Sequence, residues 1–292
     1  MKFGVREICD VVFRAKTKMQ FGNKTYYKDE PVIYFDSLKT TSLEGAVTTV
    51  YANGGKGNAR LASWDGEKTV TFTMEDALIS PVSLSMLANA NIIEASSSKP
   101  IKVHTTQRAD ATYSSDDKML TFTLKNTLKP LTNASNAMKA IDFYAMLLND
   151  RGEVISEPFV HNITVTEVTK DKEYTITIWI DGTTNKIVPE PTDNQKFTIL
   201  ADYYVERTNN VMQIDIEPEQ HGGNYYIEAS TLFRNTDGED LPAEFIIPNA
   251  RVQSNFTFTM ASTGDPSTFS FVMDAFPDYT RHDQTKKVFA SI

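Results

Sequence analysis

Four histidines, His104, His161, His221 and His282, are the side chains of this chain best suited to move protons or ligate a transition metal. They lie far apart, and none forms HxH or HExxH or joins a carboxylate at ligand spacing. The single cysteine, Cys9, can build neither a cysteine zinc site nor an intrachain disulfide. The run Ala52-Asn53-Gly54-Gly55-Lys56-Gly57-Asn58 is the nearest approach to a phosphate-binding loop. No Ser or Thr follows its lysine, and the residues after it, Arg60, Leu61 and Ala62, read as strand. Without a helix N-terminus the anion-binding geometry is missing, so the run reads as a hairpin tip. The acidic turns Asp181-Gly182 and Asp237-Gly238-Glu239-Asp240 offer oxygen ligands to calcium, but not at EF-hand spacing, and read as solvated turns. No GxSxG elbow occurs. A glycosidase-type carboxylate pair has no local signature, since its members come from distant strands, and nothing points to one. The expectation is no catalytic residue, no cofactor and no metal.

The elements that would position any of these side chains are strands. Threonine or serine alternates with large apolar residues in Thr69–Met74, Thr121–Leu124, Thr175–Ile178, Phe256–Met260 and Phe269–Met273. Period two puts Val70, Phe72 and Met74 on one face and three threonines on the other, the mark of a strand with one buried and one wet face. Two-faced strands belong to antiparallel sheets, because parallel strands are apolar on both faces. Thr-Phe-Thr-[Met/Leu] starts at Thr71, Thr121 and Thr257 with unequal separations, so it reads as a reused strand pattern rather than a repeat array. Trp64-Asp65-Gly66-Glu67, Asn149-Asp150-Arg151-Gly152, Asp181-Gly182, Asp237-Gly238 and Gly264-Asp265-Pro266-Ser267 read as turns between them.

One helix stands out at about residues 80–90. Ser80 is its N-cap, Pro81 its first residue, Val82, Leu84, Met86 and Leu87 its apolar stripe, and Asn89 or Asn91 its end. A weaker helical pattern covers Asn133 to Ala140. The rest reads as about a dozen strands. Trp64, Phe72 and Leu84 are expected in the core. The stretches 95–100, 129–136 and 187–195 read as linkers or as loops of one sandwich.

With 292 residues, 40% of them hydrophobic and 23% charged, the chain can bury a core and is neither disordered nor collagen-like. A formal net charge of −9 argues against tight grip on DNA phosphates, though not against a surface that DNA slides past. No run approaches the ~20 apolar residues of a membrane helix, so no membrane partner is expected. Arg6, Glu7 and Asp10 interrupt the first ten residues, which lack the apolar core of a signal peptide; the expectation is a chain folded in the cytoplasm where it is made.

Two segments carry a family resemblance. Residues 51–87 run from the glycine-rich tip through Trp64-Asp65-Gly66 and a Thr-rich strand to EDALISP before the helix. Residues 225–276 contain RNTDGEDLPAEFIIPNARV and ASTGDPSTFSFVMDA. Both resemble the tail tube, or major tail, proteins of long-tailed bacteriophages. The resemblance implies a mainly β protomer, an antiparallel β-barrel or sandwich with one short helix, with residues 1–292 forming one tail-tube-like unit. Residues of about 95–196 match no motif of the family and are read as an elaboration of the fold or a surface insertion.

The resemblance further implies a virion structural protein that forms stacked hexameric rings, a hollow conduit for DNA ejection. Its partners would be further copies of itself, other tail proteins (sheath or terminator, and baseplate), and genomic DNA crossing the lumen without specific binding. Its place would be the virion tail, assembled in the host cytoplasm. Within it, Tyr51, Asn53, Gly54, Gly55, Lys56, Gly57 and Asn58 form the candidate inter-subunit contact loop, a segment that orders on meeting a neighbour. The alternatives are another virion β-protein (sheath, baseplate or decoration) and a carbohydrate-binding β-sandwich. The latter would use clustered exposed rings; the two tryptophans, Trp64 and Trp179, sit in strand or turn patterns, and Tyr203-Tyr204 and Tyr225-Tyr226 keep the option open.

Overall fold

In a computed structural model, described for residues 2–5, 7–132, 142–170, 172–257, 262 and 268–292, the chain is mainly antiparallel β. In chain order the strands are β1 (Phe3–Val5), β2 (Asp10–Ala15), β3 (Met19–Phe21), β4 (Lys24–Tyr26), β5 (Pro31–Phe35), β6 (Leu38–Gly54) and β7 (Ala59–Asp76). After helix α1 (Pro81–Ala88) come β8 (Asn91–Glu94), β9 (Ile101–Ser114), β10 (Met119–Lys125), β11 (Phe143–Leu148), β12 (Ile163–Thr169) and β13 (Glu173–Trp179). The last are β14 (Lys196–Arg207), β15 (Met212–Asp215), β16 (Asn224–Asn235), β17 (Asp240–Val252) and β18 (Phe269–Ala275). The described residues hold 18 strands rather than about a dozen, because β1, β3, β4, β8 and β15 are short pieces that carry too few residues to show a period.

The chain divides into two compact units, residues 1–93 with 213–292, and residues 94–212. In the first, an antiparallel sheet runs β5-β2-β16-β17-β18-β7-β6, with β1 added beside β16. One face of that sheet carries the core. Val11 and Phe13 of β2, Val70, Phe72 and Met74 of β7, Ile227 of β16 and Phe271 and Met273 of β18 share one buried cluster. Phe13, Phe35, Tyr225 and Phe271 pack ring against ring, with centroids 5.3 to 5.6 Å apart. Each such buried side chain contributes about 1.5–3 kcal/mol.

Helix α1 lays Met86 and Leu87 on the same cluster. It starts as expected. Ser80 accepts from the Ser83 amide at 3.0 Å, while the Ser83 hydroxyl accepts from the Ser80 amide at 2.8 Å, so two otherwise orphaned donors are satisfied. It stops at Asn89, whose φ of 50° is left-handed.

In the second unit six antiparallel strands run β11-β14-β9-β10-β13-β12, and the path does not close on itself. The Thr/apolar alternation decides its faces. Leu120, Phe122, Leu124, Tyr174, Ile176 and Ile178 enter the core. Their threonine neighbours align outside, Thr121 opposite Thr177 and Thr177 opposite Thr164. β-Branched side chains in such cross-strand rows suit a pleated surface. The chain leaves the first unit in β8 and returns in β15, which pair with each other.

Two readings of the sequence are corrected here. Trp64-Asp65-Gly66-Glu67 is no turn but the middle of β7. Trp64 is exposed, not core, whereas Phe72 is buried and Leu84 half-buried. The weak helical pattern at Asn133–Ala140, the strand residues Phe258–Met260 and the turn Gly264–Ser267 lie outside the described residues.

Candidate functional site

The feature that the core does not account for is the far end of the β6–β7 hairpin. β18 pairs with β7 only from Asp76 to Thr71, and Val70 is the last buried residue of β7. Beyond it no third strand among the described residues joins the two. Gly45 pairs with Val70, Ala46 with Thr69, Val50 with Trp64, Tyr51 with Ser63 and Gly54 with Ala59. At ~3.3 Å per residue this arm is about 30 Å long. From Gly45 to Thr69 every residue is exposed except Ala52 and Gly54, which are partly so.

The arm is regular for local reasons. Its tip is a tight turn over Gly55–Asn58, closed by the Asn58 amide donating to the Gly55 carbonyl at 3.1 Å. Gly55 and Gly57 have φ of 77° and 91°, which a side chain would strain. Two bulges, at Val47/Thr49 and Ala52/Asn53, add twist. At the first, a Cβ on Gly66 would lie 2.5 Å from the Thr48 hydroxyl, which accepts the Glu67 amide at 2.8 Å. Gly66 therefore marks a bulge, the alternative to a turn for an isolated glycine in a strand. The Arg60 guanidinium sits 4.0 Å from the Tyr51 ring centroid, a cation–π contact across the tip.

Its surface groups exposed apolar side chains on one element. Val47, Val50, Tyr51, Leu61 and Trp64 are exposed, and residues 45–64 contain Lys56 and Arg60 but no carboxylate, in a protein of net charge −9. Of the expected contact loop, Tyr51, Asn53 and Gly54 are thus strand, and Gly55, Lys56, Gly57 and Asn58 form the turn. Val50, Leu61 and Trp64 were missed as surface residues; the dense β-branched run Val47-Thr48-Thr49-Val50 was the available signal that strand continued to the tip.

The histidines and acidic turns are spread over both units, and His104, Asp181 and Asp240 make local structural contacts. His104 contacts Asp202 at 2.6 Å and its ring lies 5.2 Å from Tyr204. Asp181 accepts the amides of Thr183, Thr184 and Asn185 and the Thr184 hydroxyl; these bonds, the hydroxyl's first, hold its carboxyl well below the usual range. In the 235–240 turn the Asn235 side chain accepts from the Asp237 and Glu239 amides, and Arg234 grips Asp240 through two bonds of 2.6 and 2.7 Å. Among the described residues no group of three or more His, Cys, Asp or Glu side chains converges, and no helix is long and apolar enough to cross a membrane. Tyr203, Tyr225 and Tyr226, three of the rings a sugar face would use, are buried. Burial pushes the Tyr225 hydroxyl up.

A family model described as the YomU/Tube protein family matches residues 18–128 and 142–290. The chain belongs to that family. The match takes in the whole arm and residues of both compact units, so a YomU/Tube protein has both as parts of its pattern. It agrees with the tail-tube resemblance of residues 51–87 and 225–276, and it makes the chain a structural protein of the virion tail, one that assembles with itself and with other tail proteins. No curated protein matches the chain.

Proposed function

We propose that copies of this chain form closed rings of six, stacked into a hollow conduit that genomic DNA crosses on ejection, with the β6–β7 arm of each copy seated on a neighbour. The arm carries this reading. A two-stranded ribbon with no third strand and no covered face is marginal in water by itself, and it gains stability once another surface covers it. Exposed apolar side chains grouped on one element mark a protein contact rather than ordinary surface.

The ring number and the conduit rest on the tail-tube resemblance. A negative lumen suits the passage of DNA, since it repels phosphates and removes the counterion release that would hold them. Residues of about 95–196 are an elaboration on the tube unit. Sheath or terminator and baseplate proteins are the partners at the ends of the stack, and assembly takes place in the host cytoplasm.

Negative-stain electron microscopy of the purified protein tests the reading. Hollow tubes of uniform width with ring-like end views are expected. Deleting residues 54–57 should leave a folded monomer that cannot polymerise. Normal tubes from that deletion would remove the tip from the contact, and a chain that stays monomeric at every concentration would sink the proposal as a whole.

A further inference from the structure

We infer that the arm of one copy seats on a depression of the same unit in a second copy, formed by Ile8, Leu232 and Pro242 and edged by Glu7, Asp10 and Glu244. The inference rests on the self-association reading above and names the surface that receives the arm.

Chemistry matches the two surfaces. The arm offers Val50 and Trp64 on one face, Arg60 beside Tyr51 on the other and Lys56 at the tip, with its two carboxylates, Asp65 and Glu67, nearer the base. The depression offers Ile8 and Leu232, 45% and 43% exposed, inside a rim of three carboxylates. Arg234, on the same strand as Leu232, is already held by Asp240. An apolar centre with a charged rim is the anatomy of a specific protein contact, and opposite rim charges steer partners into register.

Register places both surfaces at one end of the sheet. β7 pairs with β18 from Asp76 opposite Phe269 to Thr71 opposite Asp274, so the arm continues past Ala275. β17 pairs with β18 from Val252 opposite Met273 to Ala250 opposite Ala275, so its Asp240–Glu244 end also lies past Ala275. That end pairs with β16 through Glu244 opposite Ser230, and Ser230 faces Asp10 of β2. Arm and depression are different surfaces, so the contact is head-to-tail, the kind that closes into a ring when its rotation allows. Because they sit at the same end of the sheet, the contact carries a neighbour sideways more than along the strands.

Charge reversal and cross-linking test the inference in the full chain. Arg60→Glu and Glu244→Arg, each alone, should lower the assembled fraction about tenfold in sedimentation, and the doubly substituted chain should recover to within about threefold of the parent. Independently, Ala62→Cys and Ser230→Cys in one chain should give a ladder of disulfide-linked oligomers on oxidation, while each single substitution gives none; Ser230 lies on the Leu232 and Glu244 face, and the native Cys9 is buried and does not compete. A parent that assembles while both reversals are silent, with no ladder from the cysteine pair, overturns the depression as the receiving surface and leaves self-association standing. A parent that never assembles overturns both.

Discussion

Val50 and Trp64 face each other across the β6–β7 ladder, and with 59% and 58% of their surface exposed they form the most apolar cross-strand pair of the arm. Replacing both with serine removes nothing from the core. Stability of the monomer should therefore change by no more than about 0.5 kcal/mol, the usual range for surface substitutions. Assembly should be lost. Chemical denaturation and analytical ultracentrifugation of the same preparation separate the two effects.

Phe271 and Phe122 are both buried but belong to different cores. Phe271→Ala and Phe122→Ala should each cost about 3–5 kcal/mol through lost burial and the cavity left behind. Hydrogen exchange should locate the loss in residues 1–93 and 213–292 for the first variant and in residues 94–212 for the second. Equal loss across both sets of amides in either variant would show that the two cores unfold as one.

Lys16 donates to Asp278 at 2.7 Å and the Tyr279 amide donates to it at 2.8 Å. These bonds, the lysine's first, hold the Asp278 carboxyl below its usual range. The pKa is depressed on folding, so the stabilisation is complete above the unfolded value of about 3.9 and fades as pH falls through the folded one. Asp278→Asn should be less stable than the parent by about 1 kcal/mol or less at pH 7. Urea titrations at descending pH should show the two converge once the Asp278 carboxyl is protonated in the folded state, below the usual carboxylate range.

Asn185 is wholly buried, and its Nδ2 donates to the carbonyls of His161 at 2.6 Å and Trp179 at 2.9 Å. It ties the 181–186 loop to the end of β13. Asn185→Ala leaves two buried acceptors without that donor and should cost about 1–3 kcal/mol. Asn185→Asp should cost more, because it sets a carboxylate against two carbonyl oxygens. Thermal unfolding followed by Trp179 fluorescence ranks the three proteins.

Strands with one buried and one wet face were legible from residues alone, since the period of Thr121–Leu124 or Thr175–Ile178 is imposed by the core beneath. Helix α1 was equally legible, because Ser80, Pro81 and Asn89 each act through local geometry. The arm was not. With no core under it, residues 45–69 carry no period, and burial is what makes periodicity visible. Asp65-Gly66 favours a turn, yet the close approach of Thr48, which only a glycine tolerates, belongs to a bulge. Trp64 looked like core because large rings usually are. The pairing of surfaces on β2, β16 and β17 joins residues more than two hundred positions apart, such as Asp10 and Ser230, and no local pattern reports it.

The neck formed by β8 and β15 has an evolutionary consequence. Residues 94–212 leave and re-enter through two neighbouring strands, clasped just beyond by the Ala95 amide donating to the Val211 carbonyl at 3.0 Å. Ends that lie together let a segment be inserted without rerouting the chain around it. A recombination that swaps this stretch between genomes would exchange one compact unit while sparing the sheet that carries the arm. The same neck is where a foreign domain could be grafted with least disturbance.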